Sequence, residues 1–528
     1  MELAVPSGGA PERRQMSSPA LDKAAPNTTG SDRTLDNQTP TALAQQQTSL
    51  LRKTLGRFDI IFLLVAAVIG LENLGQVSTY GAEAFTWTLV LAVTFLIPYG
   101  LIFAETGSAF AEEGGAYTWV RDAFGRPWAA IASLLTWVTQ PVWVGGTMSF
   151  LATETWNHAG LGQISAGSAT DYAFKLGFTW LTVLAAIISL HYGKWLPTVG
   201  AILKVLILVL FVGSAIAYVV NNGMAPMSAG DFSPTLMGFL GATPVLLFAF
   251  LGFDSGSSAA AEMKNPLRDV PVGVLRSTAI AAACYILPIA AILAVVPKDQ
   301  LSGVGGFLDA TKIVFGVFGG AADSVMRVVS LLLVLTFVAQ GAAWMMVSDR
   351  MQAMAAADGA FYGGFFGHFN RRLGTPVRMN LLSGVVGTVF LLAAMQVDGS
   401  AASVFEVVLI ISITTYLLAY LLVFPAAIRL RTVRPDVPRP FRVPVGNAGW
   451  LAMGVVTFAW IALGSWVAVF PGTLEPLFGV DYDFVDAWGV SRTQFEVFTL
   501  GTLAVLGVIG LLGYWLAKPV REQIGTAP

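Results

Sequence analysis

Two short stretches of this chain put a carboxylate where an apolar helix is expected. Ile61–Gly75, IFLLVAAVIGLENLG, runs apolar and then breaks at Gly70-Leu71-Glu72-Asn73. Pro244–Pro271, PVLLFAFLGFDSGSSAAAEMKNPLRDVP, repeats the layout and breaks at Gly252-Phe253-Asp254-Ser255-Gly256. An ionised acid near the middle of a membrane span costs about 2.5–3.5 kcal/mol, so it is kept for binding, proton carriage or satisfying freed backbone. The flanking glycines suit an unwound segment, which needs backbone freedom and close approach. A third residue stands apart. Lys204, in VGAILKVLILVLFV, lies about nine residues, or roughly 13 Å, into an apolar run. Two readings stand for it. Its stem runs back to the headgroups, or the amine is buried in a helix bundle and takes up and releases a proton.

The elements that must position these groups are membrane helices. Of 528 residues, 55% are hydrophobic and 12% charged, with mean hydropathy +0.69; soluble domains carry roughly twice that charge. The fold class is therefore all-α integral membrane. About twelve stretches reach the ~20 residues a bilayer needs. They fall near 58–79, 84–108, 127–156, 171–191, 196–220, 235–260, 273–296, 321–348, 379–396, 402–428, 448–470 and 494–517. The acid-bearing breaks lie in the first and sixth. Paired interrupted spans at corresponding places in two halves point to a transporter's central binding site.

Lys and Arg set the orientation. About twenty bases of the membrane domain fall on one face and five on the other: Lys175, Lys298, Lys312, Arg327 and Arg492. Both termini are expected in the cytoplasm, with the chain a multi-pass protein of the cell membrane. The opposite face carries an acidic loop, Pro471–Arg492, with Glu475, Asp481, Asp483 and Asp486. Residues 1–51 are polar, too poor in large apolar side chains for a core, and read as a disordered cytoplasmic tail without a signal-peptide h-region. The expected division is this tail, a core of ten helices over 52–430, two further helices over 431–520 and a short end at 521–528. The single cysteine, Cys284, allows no internal disulfide and reads as a packed residue. The three histidines, His158, His191 and His368, have no ligand partner at helical spacing, so no metal and no cofactor is expected. All three read as loop or helix-end residues.

Four patches resemble the amino acid–polyamine–organocation permease superfamily, in order and over about Leu55–Pro444. They are ETGSAFAEEGGAYTWV at Glu105–Val120, the stretch from Phe248 to Pro271, SDRMQAMAAADGAF at Ser348–Phe361, and RPFRVP at Arg439–Pro444. The resemblance implies a LeuT-type fold, with helices 1–5 and 6–10 as inverted repeats and substrate between broken helices 1 and 6. The implied substrate site takes in Ile69, Gly70, Leu71, Glu72 and Asn73 from the first. From the sixth it takes Phe248, Phe250, Gly252, Phe253 and Asp254. Phe248 matches the aromatic that closes over substrate in relatives, while Phe250 and Phe253 also read as packing. Where relatives have Gly-Ser-Gly to hold a carboxylate, this chain has Gly70-Leu71-Glu72, which would repel a carboxylate and attract an amine.

Three readings of Glu72 compete: it binds the amine of a cationic substrate, it carries a proton, or it pairs with backbone N–H groups freed at the break. Asp254 falls where many relatives have Glu; it reads as a cap on the second half-helix or as part of coupling. Lys204 resembles the helix-5 lysine that, in some proton-driven relatives, occupies the sodium position. Proton coupling is thus expected through Lys204, Glu72 and Asp254. Glu105, Glu112, Glu113, Arg121 and Arg350 gather on the cytoplasmic side as a candidate gate.

The leading expectation is a secondary transporter of amino acids or related amines, with protons, a small-molecule substrate and the bilayer as its partners and no nucleic acid. An exchanger without net proton coupling and a membrane sensor that binds but does not carry are the alternatives. An enzyme is not expected: there is no His-Glu-x-x-His, no Gly-x-Ser-x-Gly with a His partner and no phosphate loop.

Overall fold

The computed structural model describes residues 39–523 except 52, 54, 193–194, 298–299, 301–304 and 397–400, together with the side chains at 189–192 and 401–403. Residues 1–38 of the expected tail, Arg52, Lys194, Lys298, the side chain of His191 and the last five residues lie outside it. The described part is helical; pairing between extended segments is confined to one bridge, Leu55 with Met263. That bridge ties the chain before the first span to the chain after the sixth, through Leu55 N–H to Glu262 O (2.8 Å) and Lys264 N–H to Leu55 O (3.0 Å).

Among the described residues, eleven helices are long and apolar enough to cross a membrane. The expected third span is also helical, as Arg126–Trp143 and Ser149–His158 joined by a π-turn at Val144–Met148. Arg126, Thr136, Gln140 and two prolines lower the mean hydropathy of its longer helix, which keeps it out of the eleven. The crossing segments are taken below as spans 1–12 in chain order. Span 1 is Arg57–Ser78, span 2 Ala82–Ala109, span 5 Trp195–Asn222, span 7 Pro266–Val295 and span 10 Val404–Val433. Span 8 is the helix Ala322–Ala357.

Three boundaries move from the sequence reading. Span 7 begins at Pro266, because a proline at the first helical position gives up only an N–H that has no helical partner there. Span 8 runs past residue 348 to Ala357: its Asp349 and Arg350 are fully paired inside the protein, so the charges do not stop the helix. Residues 39–51 do not belong to a loose tail. Ala42–Ser49 is a helix capped by the Thr41 hydroxyl, and Thr41 is anchored to the end of span 8 through its N–H to Asp358 Oδ1 (2.8 Å) and its hydroxyl to Ala357 O (2.7 Å). Specific hydrogen bonds hold a segment whose hydrophobicity alone would not.

Candidate functional site

Span 1 is helical over Arg57–Val68 and again over Leu71–Ser78, with Ile69 and Gly70 extended between them. The break leaves carbonyls without their i+4 N–H partners, and unsatisfied backbone groups in a bilayer cost several kcal/mol each. Side chains from three other spans supply donors to four successive carbonyls. Lys204 Nζ donates to Ala66 O (2.8 Å) and Ile69 O (2.5 Å). Trp344 Nε1 donates to Ala67 O (2.7 Å) and the Tyr285 hydroxyl to Val68 O (2.9 Å). Gly70 N–H, which would have closed the helix onto Ala66, donates instead to the Tyr285 hydroxyl (2.8 Å). Lys204 completes its shell on Gln340 Oε1 of span 8 (2.6 Å) and is 0% exposed. The ammonium thus points into the bundle rather than back to the headgroups, bridging span 1 to span 8.

Span 6 breaks the same way. The helix Leu236–Phe250 ends, Gly252 takes φ +119°, and single 3-10 turns follow at Phe253–Gly256 and Ala260–Glu262. No second α-half-helix forms here, so Asp254 has none to cap, contrary to one sequence reading. Gly252 has no substitute: a Cβ there would lie 2.3 Å from the Trp344 ring, besides the left-handed backbone. The N–H groups of Gly252 and Phe253 both donate to the Tyr99 hydroxyl (2.9 Å each). Tyr99 is in span 2 and Tyr285 in span 7, so each break is bridged by a tyrosine from the second helix of the other half.

The two acids have separate surroundings. Glu72 (3% exposed) folds over the start of Leu71–Ser78; its Oε1 is 3.5 Å from Asn73 Nδ2, and its Oε2 has no hydrogen-bond partner among the described residues. Asp254 (3% exposed) accepts from the Tyr420 hydroxyl, with the hydroxyls of Tyr99 and Tyr416 each 3.3 Å from that of Tyr420. Leu71 is buried beside Glu72. Phe248 is half-buried against Tyr416 (ring centroids 5.9 Å), and Tyr416 meets Trp344 at the same distance. Phe250 and Phe253 are fully buried against Tyr285 and Tyr99, in packing positions.

The five residues expected to form one gate fall into three buried clusters on the base-rich face. Arg350 joins Glu113 (3.2 Å) and Glu262, and donates to Gly374 O (3.2 Å). Arg121 meets Glu112 (3.2 Å), Asp122 (2.9 Å) and Asp358 (3.6 Å). Asp358 also binds Arg126 (3.2 Å) and the Tyr117 hydroxyl (2.6 Å). Glu105 lies apart with Arg431 and Arg439, at 3.4 Å each. All but Glu112 are buried, so these are not the weak surface pairs their sequence positions suggest.

Sequence reasoning missed Tyr99, Tyr285, Gln340, Trp344, Tyr416 and Tyr420. Their one local signal is a polar atom inside an apolar run, and buried phenols and indoles do need a partner. Which backbone they serve depends on helices far away in the chain.

Two broken helices inside a bundle, each break satisfied by side chains of its neighbours, define a membrane permease of the LeuT type. The solved structure of MhsT in complex with L-phenylalanine has the same fold: TM-score 0.55 at 16% identity, over 78% of this chain and 99% of that one. The profile of the Amino acid permease family matches residues 55–476, and the chain belongs to that family. It is 28% identical over 388 residues to the probable agmatine/putrescine antiporter AguD of Lactococcus lactis, covering 73% of this chain and 81% of the relative. It is 26% identical over 457 residues to the branched-chain amino acid permease BcaP of Bacillus subtilis, covering 78% and 92%.

Proposed function

We propose that this permease carries small organic amines across the cell membrane in exchange for, or together with, protons, with both termini in the cytoplasm. The observation that carries the reading is the central arrangement: an ammonium, Lys204, clamped onto the open end of the first half-helix and onto Gln340, with the Glu72 carboxylate beside the same break. A protonated Lys204 fastens span 1 to span 8; a neutral one keeps only two N–H bonds for three acceptors and loosens the joint. In this reading Glu72 is the group that meets the substrate's ammonium at the break. A relative named for agmatine and putrescine supports an amine, and its being an antiporter supports exchange.

The direct test is counterflow in proteoliposomes, with labelled agmatine, putrescine and leucine compared at several pH values. The expected result is pH-sensitive uptake of the amines over leucine. Binding without counterflow would favour a sensor instead.

Glu72→Gln keeps the shape and removes the charge. It should weaken binding of a cationic amine by about 1–3 kcal/mol, roughly five- to 150-fold, while sparing neutral ligands. Scintillation-proximity binding reads this directly, and an unchanged affinity would rule out contact between Glu72 and the substrate.

The Arg350 cluster is the inner gate in this reading. Burial pushes the Glu113 carboxyl from its ordinary 4.5 up to about 7, with Arg350 pulling it down and Glu262 pushing it up. A shut gate therefore holds a proton at Glu113 that a water-filled one gives up, across that window. By linkage the shut state is favoured at low internal pH, and opening becomes easier as pH rises toward about 7. The reactivity of a cysteine placed behind the gate, corrected for its thiolate fraction, should rise with internal pH in the wild type and stay level in Glu113→Gln. Equal slopes in the two proteins would contradict it.

A further inference from the structure

The loop between spans 8 and 9 carries bases that the gate clusters do not use. Span 9 is Val377–Ala394. Arg371, Arg372 and Arg378 fall within eight residues of one another, all exposed, and none meets an acid among the described residues. The arginines of the three buried clusters are each paired with acids. Asp358, the one acid over 358–378, is itself buried with Arg126 and Tyr117. An arginine in water needs no other partner, but these three are held in place.

A closed turn holds the first two. Asn370 Oδ1 accepts from the N–H groups of Arg372 (2.9 Å) and Leu373 (3.1 Å). The Asn370 N–H donates to Thr375 O (2.9 Å), and its carbonyl accepts from the Gly374 N–H (2.8 Å). Residues on both sides of the arginine pair touch Arg350: the Phe369 ring lies against its guanidinium (5.4 Å), and Gly374 O accepts from it (3.2 Å). One turn therefore grips the gate arginine and carries Arg371 and Arg372 outside. Arg378 begins span 9, stacked on the exposed Phe365 ring (4.5 Å) and donating to Phe365 O (2.9 Å). Leu381, Val385 and Val389 follow it at i+3, i+7 and i+11, all exposed, as one stripe along the helix. In a membrane that stripe faces acyl chains.

An anion that meets Arg378 at the foot of this stripe has hydrocarbon directly beside it. That is the layout of a phospholipid, with chains along Leu381, Val385 and Val389 and a phosphate at the depth of Arg378. Guanidinium forks match phosphate oxygens in pairs, and bases next to a span draw anionic headgroups.

We infer that the turn at 370–375 and the start of span 9 form a site for an anionic phospholipid, with its phosphate on Arg371, Arg372 and Arg378, and that the bound lipid holds the inner gate shut. The direction follows from charge. Arg371 and Arg372 sit on the turn that touches Arg350 and repel it; a phosphate cancels that repulsion and pins the turn. The effect on the gate rests on the reading of the Arg350 cluster given above, while the lipid site does not.

The test titrates short-chain phosphatidylglycerol into the full-length detergent-solubilised protein and follows its unfolding temperature, with short-chain phosphatidylcholine and inorganic phosphate in parallel. A saturable rise with phosphatidylglycerol alone is expected. Arg371→Gln with Arg372→Gln should raise the half-saturating concentration about tenfold or more, and Arg378→Gln should raise it as well. Arg268→Gln with Arg276→Gln takes the same charge from exposed positions of span 7 and should leave the response unchanged. An equal rise with inorganic phosphate, a response that survives Arg371→Gln with Arg372→Gln, or equal weakening by the span 7 pair would overturn the site. For the gate, the reactivity of a cysteine placed behind it, corrected for its thiolate fraction, should fall when phosphatidylglycerol replaces phosphatidylcholine in vesicles. It should stay level in Arg371→Gln with Arg372→Gln. Equal falls in the two proteins, with lipid binding as expected, would uphold the site and overturn its hold on the gate. Neither measurement uses an amine, so failure here and failure of the substrate reading are told apart.

Discussion

Lys204→Ala should abolish the dependence of uptake on external pH and reduce gradient-driven transport on the order of 10–100-fold. The ammonium is the donor to Ala66 O, Ile69 O and Gln340 Oε1, all inside the bundle. A charged hydrogen bond is worth about 1.5–3 kcal/mol, and each buried acceptor left without a donor costs about 1–3. Part of that loss will surface as instability, because the first half-helix then ends on two carbonyls with nothing to accept from. Lys204→Arg separates the two effects: it keeps a donor and a fixed charge but cannot give up a proton at ordinary pH. The expected pattern is partial stability in Lys204→Arg with no response to external pH, and loss of both in Lys204→Ala. Uptake by proteoliposomes across about pH 5.5 to 7.5 tests it. A Lys204→Ala protein whose uptake still follows pH as the wild type does would remove Lys204 from coupling.

Arg350→Met should be the most damaging single change on the base-rich face. Its guanidinium holds Glu113, Glu262 and the Gly374 carbonyl together, with all three side chains buried. It therefore pins span 8 to the loop after span 2 and to the chain just past the broken sixth helix. Removing one member of a buried ion pair costs about 3–5 kcal/mol, since the remaining carboxylates lose the positive charge that offset their burial. Two outcomes are expected together: a lower unfolding temperature, and water access from the base-rich side. The double variant Arg350→Met with Glu262→Gln should recover part of the loss, because it removes one stranded charge. A coupling energy below about 1 kcal/mol in that cycle would reduce the cluster to an ordinary surface network.

Much of the architecture was legible along the chain because its signals are local. Apolar runs of bilayer length, the glycines at 70 and 252, and the acids that follow them mark the spans and both breaks. Lys204 stood out because an amine so deep in an apolar run has few places to go. The gate was half legible: acids and bases clustered by face, but their pairing into three groups did not follow from their order. Glu262, Arg126, Asp358, Arg431 and Arg439 completed clusters that the sequence drew with other members.

By itself, then, the sequence determined that the fold is a bundle of membrane-length helices, where two of them must come apart, and that an amine and two carboxylates lie within apolar runs. Only the tertiary structure decided what each of these touches. A broken helix presents bare carbonyls and N–H groups, and in an apolar medium they take whichever donors and acceptors the packing brings near. Spans 5, 7 and 8 bring Lys204, Tyr285 and Trp344 to the first break, and span 2 brings Tyr99 to the second. Those partners come from more than a hundred residues away, and hydropathy, which reports only on a residue's near neighbours, has no record of them.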